Sequence, residues 1–191
     1  MNNSKSAKRC LLCLVAAILV ADATMVLGVP GQQGQSGPTG DLSVVGEVSV
    51  NGTNAISGAT VFSDSTITTS KRSSAVVSLG KLGRVEVLPE STMKLSFTGS
   101  RIVVRMLDAG RVRVSSSSGT AVTATTRDGE TTGDSSGKNE MVIDTRCGNT
   151  AVFVRTGRVD VRDFRLKKTI RTDSKHTVGN GKAGCTPSAN D

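Results

Sequence analysis

The sequence predicts an all-β chain: a twisted β-solenoid or β-roll-like single domain of stacked short strands, preceded by an N-terminal signal helix. Two observations carry the fold class. From Leu42 onward, short runs rich in Val, Thr and Ser alternate apolar and polar residues with period two, and a Gly-Arg-Val-x-Val segment occurs three times. Alternation puts every second side chain on one face of a half-buried strand. Helical spacing of apolar residues is not found beyond the leader. At 191 residues the chain needs only one core.

The N-terminus reads as an export signal. Lys5, Lys8 and Arg9 form a charged start without acids, and an apolar run from Cys10 to Val20 follows. Ala21-Asp22-Ala23 supplies the small residues of a cleavage site, giving a signal peptide over 1–23. The alternative is an uncleaved membrane anchor over 10–29, against which Asp22 counts, because a carboxylate deep in hydrocarbon costs a few kcal/mol.

Residues 24–41 are rich in Gly, Pro and Gln, with glycine at every third position from Gly28 to Gly40. So few triplets cannot hold a collagen helix, and a linker is expected. The β domain is expected over 42–165 and a basic polar tail over 166–191.

Within the domain, Leu42, Val44, Val48 and Val50 share one strand face, and Asn51-Gly52 supplies a tight hairpin turn. Met93, Leu95 and Phe97 repeat the pattern, as do Ile102, Val104 and Met106. The recurring segments are Gly83-Arg84-Val85-Glu86-Val87, Gly110-Arg111-Val112-Arg113-Val114 and Gly157-Arg158-Val159-Asp160-Val161. Each reads as a glycine turn leading into a strand with two valines inward and charges outward. Thr125 to Lys138 has almost no apolar residue and is expected to be an exposed loop, with Arg127, Asp128, Glu130 and Asp134 as possible binding determinants. Phe62, Phe97 and Phe153 are expected to pack inside.

Removal of the leader takes Cys10 and Cys13 with it and leaves Cys147 and Cys185. In an oxidising compartment these two predict a disulfide fastening the tail to the body, rather than a metal site, since zinc wants three or four ligands and His176 is the sole histidine. The formal charge is +8. Much of the basicity gathers in Arg155, Arg158, Arg162, Arg165, Lys167, Lys168 and Arg171, a patch that could meet anionic glycan, lipopolysaccharide or lipid, or could be a solvated strand face. Nucleic acid is an unsuitable partner, because export removes the chain from it and no Trp or Tyr is present to stack bases.

Catalytic motifs are missing. His176 sits in a polar stretch between Lys175 and Thr177, and the sequence holds no nucleophile elbow, paired-histidine zinc motif or phosphate loop. Carboxylate pairs could still form from Asp64, Glu86, Glu90, Asp108, Asp144 or Asp160. The expectation is a non-enzymatic chain without cofactor or metal.

The stretch from about Val44 to Val161 resembles the FecR domain of bacterial envelope proteins. The resemblance rests on Gly46-Glu47-Val48, Ser57-Gly58-Ala59-Thr60, Ala75-Val76-Val77-Ser78-Leu79-Gly80 and Gly83 to Pro89. It continues through Met106 to Val112 and Val152 to Val159. It implies a periplasmic all-β domain working through protein contacts, without catalytic residues. Family members relay signals to a cytoplasmic sigma factor, but here only about nine residues precede the apolar run, too few for a sigma-binding segment. The expected role is binding another envelope component, most simply a protein, through strand edges and the loop near Gly129 to Gly137. The membrane is expected to be touched only through an uncleaved leader. An architectural spacer is the remaining alternative.

Overall fold

The computed structural model describes residues 37–187. The expected signal peptide, the alternative anchor at 10–29 and most of the linker lie outside the described residues. No helix among the described residues is long and apolar enough to cross a membrane.

The described chain is all-β apart from a 3-10 turn at Gly80–Leu82. It begins with β1 (Thr39–Val45), β2 (Val48–Val50), β3 (Thr53–Asn54), β4 (Thr60–Phe62), β5 (Ser65–Thr69) and β6 (Ser74–Ser78). It continues with β7 (Gly83–Val87), β8 (Ser91–Thr98), β9 (Arg101–Met106), β10 (Arg111–Ser116), β11 (Ala121–Thr125) and β12 (Gly129–Gly133). The last five are β13 (Asn139–Asp144), β14 (Thr150–Thr156), β15 (Val159–Asp163), β16 (Lys168–Thr172) and β17 (Lys175–Val178).

Two sheets result. The first has the order β17-β14-β13-β10-β7-β6-β1-β4, the second β16-β15-β12-β11-β9-β8-β5-β2-β3. Chain order and spatial order run together in both, with only the end strands β4 and β3 out of sequence. The chain therefore crosses repeatedly from one sheet to the other while advancing from one edge to the opposite one. Neighbours are antiparallel except β9 and β11, which are parallel.

Period-two alternation explains how the sheets face each other. Met93, Leu95 and Phe97 from β8, with Ile102 and Val104 from β9, meet Val85, Val87, Val112 and Val114 from the first sheet in one core. Burying each such side chain stabilises by roughly 1.5–3 kcal/mol. The three Gly-Arg-Val-x-Val copies become β7, β10 and β15 with both valines of each copy inward and buried. Gly83 and Gly157 have positive φ, at 132° and 89°, as the sharp turn into a strand requires. The Asn51-Gly52 turn likewise has positive φ at both positions and joins β2 to β3.

Three expectations are corrected. The stretch 125–138 is not one exposed loop, because β12 occupies its middle and pairs with β11 and β15. Its inward positions are Gly129, Thr131 and Gly133, all buried, so the strand carries no large apolar residue for the sequence to display. An added Cβ on Gly129 would stand 2.5 Å from the Arg162 carbonyl oxygen, so β12 and β15 approach too closely there for a side chain. Phe97 packs inside as expected, whereas Phe62, on edge strand β4, is 40% exposed and Phe153 lies on the outer face under Lys175 at 5.1 Å. Residues 166–191 are not only a tail: β16 and β17 are edge strands, and Val178 is buried in the core. They read as polar because an edge strand has solvent on several sides.

Candidate functional site

One end of the two-sheet body gathers eight connections: 46–47, 70–73 and 88–90 lie toward the β3 and β4 edges, and five more lie toward the β16 and β17 edges. Register fixes this: Arg111 stands opposite Asp144, Gly129 opposite Asp163, Asp144 opposite Ala151, and Thr150 opposite Val178. Residues 107–110, 126–128, 145–149, 164–167 and the chain after Val178 therefore meet there, and we refer to this as the loop end. β1 starts at Thr39 at the far end and reaches the loop end at Val45.

Local hydrogen bonding holds each connection in shape. Thr126 Oγ1 accepts from the Asp128 and Gly129 amides at 3.2 Å each and shares a 2.7 Å hydrogen bond with Thr150 Oγ1. Thr150 Oγ1 donates to Asp128 Oδ2 at 3.0 Å, tying the 126–128 turn to the first sheet. The Phe164 amide donates to the Asp128 carbonyl, and Asp163 Oδ1 accepts from the Arg165 and Leu166 amides, which fixes the 164–167 turn. Gly179, with φ of 86°, packs so near Asp128 that an added Cβ would lie 2.7 Å from its carboxyl carbon.

The expected bridge is present. Cys147 and Cys185 are disulfide-bonded across 38 positions, with Cα atoms 5.5 Å apart. The Lys182 amide donates to the Cys147 carbonyl at 2.7 Å, so the closing segment lies on the 145–149 connection.

This seating shapes a cavity of about 320 Å³ whose charged lining is Arg127, Arg146, Lys182 and Asp108. Arg127 donates through Nη2 to the Gly148 carbonyl and has Nε 3.5 Å from Asp128 Oδ1. Arg146 grips the buried Asp144 carboxylate with two nitrogens. A second cavity of about 260 Å³ adjoins on the other side of Arg127, lined by Phe164 and Arg165 among others. Leu107, Phe164 and Leu166 are exposed large apolar residues at this end, at 51%, 41% and 63%. The loop end is thus cation-rich with apolar tips.

The sequence-predicted residues separate into five places. Arg127 and Asp128 belong to the loop end, with Arg165 and Lys167. Glu130 points outward from mid-strand β12, opposite Arg162 of β15. Asp134 lies at the far end, in a cavity of about 280 Å³ shared with Arg158, Asp160 and Arg171. Lys168 and Arg171 are on edge strand β16, and Arg155 is on β14 in the other sheet. The chain therefore does not assemble a single basic patch. Arg171 is committed to Asp160, donating from Nε at 2.7 Å and Nη2 at 3.0 Å. That contact holds the Asp160 carboxyl below its ordinary range, and the backbone amide of Ser136 does the same for Asp134.

Several carboxylates considered as acid–base candidates also hold cations: Asp64 contacts Lys94 at 3.3 Å, Glu86 contacts Arg113 at 2.9 Å, and Asp144 contacts Arg146 at 2.8 Å. Sequence reasoning did not connect Arg146 and Lys182. The signal was present, since they flank the two cysteines, and a bridge between the cysteines brings their neighbours together.

No protein-family model, curated protein or solved structure matches the chain.

Proposed function

We propose that this chain is an exported, non-catalytic, FecR-like module that binds another component of the cell envelope through its loop end. The observation carrying this reading is the convergence of five connections toward the β16 and β17 edges of one end, where a disulfide seats the closing segment against cavities lined by Arg127, Arg146 and Lys182. Binding determinants commonly sit on loops held by a rigid sheet scaffold. A disulfide at such a site suits an oxidising compartment, in line with the export signal in the leader.

The stepwise advance of strands through both sheets supports the solenoid-like reading of the fold and, with the glycine-led repeats, the FecR resemblance. Strand addition is the weaker route to a partner. The end strands β3 and β4 span two and three residues, and β16 carries Lys168 and Arg171. Short or charged edges are poor templates for another strand.

The test is retention of envelope fragments by the immobilised full-length chain. Loss of retention in Arg165→Gln/Lys182→Gln, with normal retention in the far-end pair Arg158→Gln/Asp134→Asn, is the expected result. The reverse dependence, or none, would overturn the reading.

A further inference from the structure

We infer that the loop end is a docking surface for a membrane leaflet rich in anionic phospholipid. This rests on the reading that the loop end is the binding surface and names what it binds.

Two independent features of the same end lead to it. The first is charge: Arg127, Arg146, Arg165, Lys167 and Lys182 gather there. The acids nearest them are Asp144, whose carboxylate Arg146 holds at 2.8 Å, Asp128, held by Thr150 and Arg127, Asp163, which accepts from the Arg165 amide, and Asp108, so the excess of cations rests on Arg165, Lys167 and Lys182. The second is the set of large apolar side chains left in water. Among the described residues six such side chains are exposed, and Leu107, Phe164 and Leu166 stand on the two connections of this end that flank the 126–128 turn; Val45 ends β1 at the same end. The far end differs on both counts. Its acids Asp64, Asp134 and Asp173 offset its cations, and Phe62 is its exposed apolar residue.

A soluble acidic protein would be satisfied by the cations alone. A bilayer surface uses both features at once: headgroup phosphates attract the cations, and the interfacial acyl region accepts short apolar tips. Carrying the apolar groups on separate turns suits shallow insertion at several points, whereas a protein hot spot wants them packed into one desolvated centre. The cavity between Arg127, Arg146 and Lys182, about 320 Å³ with Leu107 on its rim, has room for a headgroup.

The experiment is co-sedimentation of the full-length chain with vesicles of phosphatidylcholine alone and of phosphatidylcholine with an equal part of phosphatidylglycerol. All variants keep the same first 36 residues, so differences between them report on the loop end. The expected result is binding to the mixed vesicles at least about tenfold above neutral ones, largely lost near 1 M salt, where screening acts within about 3 Å. Arg165→Gln/Lys182→Gln weakens binding about fivefold for each charge removed. Leu107→Ser/Leu166→Ser weakens it as well but preserves the salt dependence. Both pairs are exposed, and unchanged circular dichroism spectra verify the fold; Arg165→Gln alone serves if a pair misfolds. Equal binding by the wild type and all variants overturns the proposal. If vesicles are not bound while envelope retention stays protease-sensitive and dependent on Arg165 and Lys182, lipid is excluded and the loop-end reading stands. If both are absent, both fail.

Discussion

Asp144 and Arg146 form a two-point contact at the loop end, with Nε to Oδ1 at 3.1 Å and Nη2 to Oδ2 at 2.8 Å, and the carboxylate is fully buried. Arg111, 2% exposed, stands directly opposite Asp144 across the ladder. Asp144→Ala removes a buried anion from beside two cations, which costs roughly 3–5 kcal/mol. Urea unfolding should show that loss as a lower midpoint at unchanged slope, and an unaltered midpoint would refute the role given to Asp144.

The Cys147–Cys185 bridge closes a loop of 38 positions, for which the chain-entropy account gives roughly 4 kcal/mol of stabilisation. Cys147→Ser/Cys185→Ser should melt lower by a corresponding amount. Hydrogen exchange should quicken first at the Lys182 amide, which donates to the Cys147 carbonyl, while amides in β8 and β9 stay protected. Envelope retention should fall together with that protection.

Two glycines with positive φ should respond differently to alanine. At Gly83, φ is 132° and an added Cβ would stand 2.0 Å from the Ser115 carbonyl oxygen, so β7 and β10 must move apart. At Gly119, φ is 83° with open space around it. Gly119→Ala should cost about 1–2 kcal/mol from backbone strain alone, and Gly83→Ala about 3 kcal/mol or more. Thermal denaturation of the pair decides it, and equal losses would contradict the close approach.

Acid should weaken the far end. The Asp160 carboxyl is held below its ordinary range, first by its hydrogen bonds to Arg171 and then by that residue's charge, and the Arg171 guanidinium is raised in turn. A carboxyl depressed in the folded state contributes stability that is fully present above its unfolded value and is lost as pH falls through the folded one. Stability should therefore be level from neutral pH to about 5 and decline below about 4. Asp160→Asn should reduce that decline by no more than about 1 kcal/mol, because the pair is partly exposed. A decline of the same size in the variant would remove Asp160 from the explanation.

What the sequence made legible follows from where alternation operates. Leu95, Val85 and Val112 each sit between polar neighbours, and their inward placement could be read directly. β12 was hidden because glycine and threonine fill its inward positions, so a buried strand looked like a polar loop. β16 and β17 were hidden by edge placement, where little apolar surface is needed. The disulfide was predicted from compartment and count. The loop end was not, because Leu107, Arg127, Arg146, Phe164 and Lys182 are scattered along the chain and meet only through the register of both sheets. The reverse happened to the C-terminal arginines, which are close in sequence and are divided between sheets and ends by the fold.

Amide NMR of the labelled chain titrated with envelope vesicles tests the loop-end claim most directly. Shifts or broadening confined to 107–110, 126–128, 145–149, 164–167 and the segment through Cys185 are the predicted result. Changes centred on 117–120 and 134–138 at the far end, on the edge strands β4 and β16, or none at all, would contradict it.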